Sequence, residues 1–139
     1  MSRGIRRHLV LWACVLGCAV TQLAHGAQLN MVLHQQGIAK AGALHNGVRL
    51  GVLYLTYHGR HAGFKIWTDA PTLSLVDTNG QHPPIHVRLE NDGWKSEPGS
   101  NYAVTTESTE DRVQLNVVTD GEQAVSAGSW KIDLQAAAF

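Results

Sequence analysis

Gly128-Ser129-Trp130-Lys131-Ile132-Asp133-Leu134-Gln135 alternates apolar Trp130, Ile132 and Leu134 with polar Lys131, Asp133 and Gln135. A period of two gives a strand one buried and one solvated face. The same rhythm recurs upstream. Ile85, Val87 and Leu89 alternate with His86, Arg88 and Glu90, while Val113, Leu115 and Val117 alternate with Gln114, Asn116 and Val118. From Val48 to Tyr57 nearly every position is apolar, as in a central strand covered on both sides. Phe64-Lys65-Ile66-Trp67, Leu73-Ser74-Leu75-Val76 and Gln28 to His34 add three more strands. The chain therefore reads as all-β.

Turn residues separate these runs. Asn79-Gly80, Asn91-Asp92-Gly93, Pro98-Gly99-Ser100 and Asp120-Gly121 fall at fairly regular intervals, and each supplies side chains or backbone freedom that turns require. His58-Gly59-Arg60-His61-Ala62-Gly63 lies between two apolar runs and is expected to be a hairpin loop. Short strands punctuated in this way predict a sandwich or a barrel. The segment Gln35 to Asn46 is the least clear, with Ile38-Ala39-Lys40-Ala41 open between a helical turn and a loop.

The N-terminus sets the compartment. Arg3, Arg6 and Arg7 precede an apolar run from Leu9 to Val20, and Ala24-His25-Gly26 closes the stretch. Positive, apolar, then small at alternate positions is the layout of a secretory signal peptide. Cleavage between Gly26 and Ala27 puts Ala24 and Gly26 at the two positions that must be small. Residues 1–26 are then the leader and residues 27–139 one domain, large enough for a modest core. The apolar run is shorter than the roughly 20 residues of a membrane span, so no span is expected in the mature chain. A retained anchor and lipid attachment at Cys18, within Val15-Leu16-Gly17-Cys18, are the alternatives.

Charge and cysteines narrow the function. The leader takes three of the eleven basic residues and none of the eleven acidic ones, so the mature domain carries −3 with histidine neutral. Nucleic-acid binding lacks its main electrostatic term. Both cysteines, Cys14 and Cys18, lie in the leader, so packing and backbone pairing must hold the mature domain without an internal disulfide. The pairs His58/His61 and His82/His86 lie in expected turns, without the convergent ligands of a zinc site, and read as solvated turn histidines. No Gly-x-Ser-x-Gly elbow or mature thiol is present. Glu107, Glu110 and Asp111 read as a solvated patch. No catalytic residue, metal or cofactor is expected. Trp67 is expected on the face opposite Phe64 and Ile66, and Trp94 at the sandwich end.

Three stretches resemble a known family. His61-Ala62-Gly63-Phe64-Lys65-Ile66-Trp67, then Asn91-Asp92-Gly93-Trp94, then Val118-Thr119-Asp120-Gly121-Glu122-Gln123 leading to Gly128-Ser129-Trp130-Lys131-Ile132 are similar to the minor tip subunits of the Dr/afimbrial-adhesin group, the AfaD-type invasins. Those proteins carry a Gly-Phe-x-x-Trp strand, an Asp-Gly-Trp turn and a closing Asp-Gly-(Asn/Glu)-Gln stretch in this order, and the resemblance covers about residues 48–139. It implies an immunoglobulin-like β-sandwich that lacks its last strand and is completed by a donor strand. It also implies a periplasmic chaperone, an outer-membrane usher and a neighbouring fibre subunit as partners, with adhesion to or invasion of host cells through a surface receptor at the fibre tip. Trp130, Ile132 and Leu134 would line the cleft that borders the donated strand. The family usually carries a disulfide where this sequence has Tyr57 and Ala138. The other reading from sequence is an exported, self-contained β-sandwich that binds a ligand in the periplasm or at the cell surface.

Overall fold

The computed structural model describes residues 3–12, 19–23, 29–35, 42–97, 99 and 102–139, the first two segments through their backbone. The expected Gly26–Ala27 junction, Cys18 and Ile38 to Ala41 lie outside the described residues. Among the described residues thirteen strands follow in order: β1 (Arg3–Trp12), β2 (Ala19–Leu23), β3 (Asn30–Gln35), β4 (Gly42–Leu44), β5 (Arg49–Thr56), β6 (Gly63–Trp67) and β7 (Ser74–Asp77), then β8 (Ile85–Glu90), β9 (Trp94–Ser96), β10 (Val104–Glu107), β11 (Arg112–Thr119), β12 (Gln123–Val125) and β13 (Ser129–Ala138). No helix occurs among the described residues.

The strands form an immunoglobulin-like sandwich. One layer runs β2-β3-β5-β11-β8 and the other β1-β13-β6-β10-β9. Strand β7 joins the layers, pairing Ser74 with His86 of β8 and Asp77 with Trp130 of β13. A separate ribbon pairs β4 with β12. Register brings the alternating apolar residues into rows: Leu33 faces Leu53, which faces Leu115. These pack in one buried cluster with Phe64, Ile66, Trp130, Ile132 and Leu134 of the other layer. Non-directional burial of this kind, worth about 1.5–3 kcal/mol for each large side chain, holds the two layers together.

The central strand is β5, held by β3 on one edge and β11 on the other, as its apolar run predicts. The segment from His58 to Gly63 departs from expectation. Because both edges of β5 are taken, β6 cannot pair with it; the segment instead crosses from one layer to the other, and β6 pairs with β13 and β10. At Asn91-Asp92-Gly93 the chain crosses the same way a second time, from β8 to β9, with Gly93 at φ +85°, a conformation that glycine adopts without strain.

Candidate strand-binding edge

Strand β13 has unlike edges. One is hydrogen-bonded to β6 over Gln135–Ala138 and to β7 at Trp130 and Lys131. Along the other, β1 runs antiparallel through ten pairs, from Arg3 opposite Ala138 to Trp12 opposite Ser129. Thus the expected leader supplies the strand on that edge. Trp130, Ile132 and Leu134 share the inner face of β13 and are buried at 1%, 1% and 0% exposure, while Lys131 is exposed on the outer face. Ala136 and Ala138 continue the inner row, a part of the apolar face that the first pattern of three did not reach.

Two polar features mark the Trp130 end of β13. The indole Nε1 of Trp130 is buried and has no hydrogen-bond partner among the described residues. Opposite Trp130 on β7, buried Asp77 accepts backbone N–H bonds from Asn79 at 3.0 Å, Gln81 at 2.9 Å and His82 at 3.0 Å. The Asn79 N–H is the foremost cause that holds its carboxyl below the ordinary range, with burial acting against it. Asn79-Gly80 carried the signal of a tight turn in the sequence, but nothing there marked Asp77 as the buried carboxylate that organises it.

The histidines divide. His58 is exposed and lies 3.3 Å from Asp111, and His86 Nδ1 lies 3.3 Å from the Ser74 hydroxyl. His61 is not a solvated turn residue. It is 9% exposed, with Nδ1 2.8 Å from the Gly59 carbonyl and Nε2 2.7 Å from the Glu110 carbonyl. The crossover between layers explains the difference, because it carries His61 under the β10–β11 connection. No group of three His, Cys, Asp or Glu side chains able to hold a metal occurs among the described residues.

His61 also lies between rings. Tyr57 packs edge-on against it at 5.4 Å, and it tilts against Phe64 at 4.8 Å. Phe64 is paired with Ala138 across the β6–β13 ladder. Two ring contacts and one ladder pair therefore connect Tyr57 to Ala138, the two positions where the resemblance implies a disulfide. Trp94 is half-buried against the core and donates its Nε1–H to the Gln114 carbonyl at 3.0 Å, tying the β8–β9 turn to β11. Trp67 is half-buried on the face opposite Phe64 and Ile66, with the Lys65 ammonium 5.7 Å from its ring.

Comparison with known proteins meets this architecture at the level of family. Residues 40–136 match the family described as Enterobacteria AfaD invasin protein. The chain belongs to that family. Among solved structures, the Salmonella SafD adhesin is 32% identical, with a TM-score of 0.71 over 81% of this chain and 88% of SafD. HdaB, the minor tip subunit of the Escherichia coli Hda pilus, is 23% identical with a TM-score of 0.66, over 78% of this chain and 80% of HdaB. AggB, the minor subunit of aggregative adherence fimbriae type I from E. coli, is 18% identical with a TM-score of 0.61, over 76% of this chain and 80% of AggB. None of the curated proteins matches the chain. No helix among the described residues is long and apolar enough to cross a membrane.

Proposed function

We propose that this chain is a tip subunit of a surface fibre built by the chaperone–usher route, and that it attaches to or enters host cells by binding a surface receptor. Its role is assembly and binding, without catalysis. The observation that carries this reading is the ten-pair ladder between β13 and β1. The strand on that edge comes from the segment whose sequence reads as an export leader. Removal of residues 1–26 at Gly26–Ala27 in the periplasm takes β1 away and leaves β13 with an open edge beside Trp130, Ile132 and Leu134. An open edge over apolar surface is an aggregation hazard unless a strand joins it. A periplasmic chaperone covers it first, and a strand from a neighbouring subunit replaces the chaperone at the usher. Membership of the AfaD family and similarity to SafD support this course of assembly.

Co-expression in the periplasm with the chaperone of the same fibre tests the proposal. Ile132→Asp puts a carboxylate into buried apolar surface, at a cost of several kcal/mol, and is expected to abolish chaperone capture and leave degraded subunit. Lys131→Asp, on the exposed face, is captured normally. If both variants accumulate as soluble monomers without a chaperone, the domain is complete by itself and the self-contained binding module is the better reading.

A further inference from the structure

We propose that the cleft beside Trp94 binds a neutral glycan on the host-cell surface. The proposal rests on the reading that the chain attaches to a surface receptor, and it names the chemistry of that receptor and the site that takes it.

The cleft exists because β8 is too short to cover β11. Strand β8 pairs with β11 only from Asn116 to Thr119. Upstream of Asn116 that edge of β11 has no strand beside it among the described residues, and the chain turns away at Asn91-Asp92-Gly93 into β9. Two side chains of the turn stand in for the missing strand: Asn91 Nδ2 and Trp94 Nε1 both donate to the Gln114 carbonyl, at 3.1 and 3.0 Å. Between this turn, the start of β11 and the end of β10 opens a cleft of about 670 Å³, within the size range of small-molecule sites.

Its aromatic walls are fixed by the fold. The Trp94 ring is half-buried against the core, and the bond to Gln114 sets its orientation. Tyr54 is half-buried on the outer face of β5. His34 meets its ring edge-on at 5.2 Å, and the Arg112 guanidinium lies 4.3 Å from the ring centre. Rigid aromatic surface gives contact area at little entropic cost, and the C–H face of a sugar ring is apolar enough to lie on it.

The charges choose the ligand. Arg112 offers donors only, whereas ionised Asp92 and Glu107 offer acceptors only. All three line the cleft and are exposed, and none makes an ion pair among the described residues. An anionic ligand would meet the two carboxylates, and a cationic one the guanidinium. A hydroxyl donates and accepts at once, so an uncharged ligand rich in hydroxyls answers both kinds of group.

Binding of the full-length chain to immobilised oligosaccharides tests the proposal. The panel holds neutral chains ending in galactose, mannose, fucose or N-acetylhexosamine, and the same chains capped with sialic acid. The protein is expected to bind members of the neutral set. Arg112→Gln and Glu107→Gln are each expected to weaken that binding about tenfold or more, the size of one lost charge-assisted hydrogen bond. Both side chains are exposed, so the melting temperature stays close to that of the parent chain. Lys131→Asp, on the other layer, is expected to bind as the parent does. The indole N–H signal of Trp94 is expected to shift on titration with the bound sugar, which locates the ligand without any substitution. Binding confined to sialylated chains, binding that neither variant weakens, or no binding at millimolar sugar overturns the proposal. Adherence to cultured epithelial cells separates the two readings. If the protein adheres but binds no glycan of the panel, the glycan falls and the receptor reading stands; if it neither adheres nor binds a glycan, both fall.

Discussion

Replacing His61 by alanine removes a side-chain tie to the β10–β11 connection, beside the backbone bond from the Ser108 N–H to the Ala62 carbonyl. Its two ring nitrogens lie 2.8 and 2.7 Å from the carbonyls of Gly59 and Glu110, and its ring packs on Tyr57 and Phe64. A typical hydrogen bond contributes about 0.5–1.5 kcal/mol net, and a ring pair about the same. Some of this returns when water enters the gap, so His61→Ala is expected to cost about 2–4 kcal/mol. Against the 5–15 kcal/mol that holds a typical domain, that is a large share. In a domain of this size it lowers the melting temperature by roughly 8–15 °C. His58→Ala is the control: its side chain is 68% exposed beside an Asp111 that is 62% exposed, and such pairs contribute about 0–1 kcal/mol. Thermal denaturation of the full-length chain, followed by far-ultraviolet circular dichroism, compares the two. A loss in His61→Ala no greater than in His58→Ala would refute the reasoning and return His61 to the class of solvated turn residues.

Other positions respond through different physics. In Gly63→Ala, the added methyl meets the Thr106 carbonyl oxygen and the Phe139 ring; overpacking of about 1–3 kcal/mol or more is expected as a lower urea midpoint. Trp94→Phe loses the N–H bond to Gln114 and is expected to cost about 1 kcal/mol, read in the same titration. Asp77 has a carboxyl held below its ordinary value of 3.8. Its contribution to stability is therefore present above that value and is lost as pH falls through the lowered one. Acid titration of Asp77→Asn should lack this part of the acid-induced loss, and a profile identical to that of the parent chain would show that the carboxylate is not coupled to folding.

The sequence by itself determined the all-β class, the inward faces of β8, β11 and β13, and the central position of β5. Strand periodicity and apolar runs are local properties, and they set which side of a strand is buried wherever it is placed. The turn glycines were legible for the same reason, and so was the family, whose motifs are short stretches in a fixed order. Only the tertiary structure decided which strands pair. His58 and His61 sit three residues apart in one polar segment and look alike. The partner that distinguishes His61, the carbonyl of Glu110, lies 49 residues away and reaches it because the segment crosses between layers. The connection of Tyr57 to Ala138 through two ring contacts and a ladder pair depends on the same crossing, which pairing energy dictates once β3 and β11 have taken both edges of β5. The occupancy of β13 by β1 was equally hidden. Leader and strand are far apart in the chain, and the ladder joins backbone groups that every residue type carries.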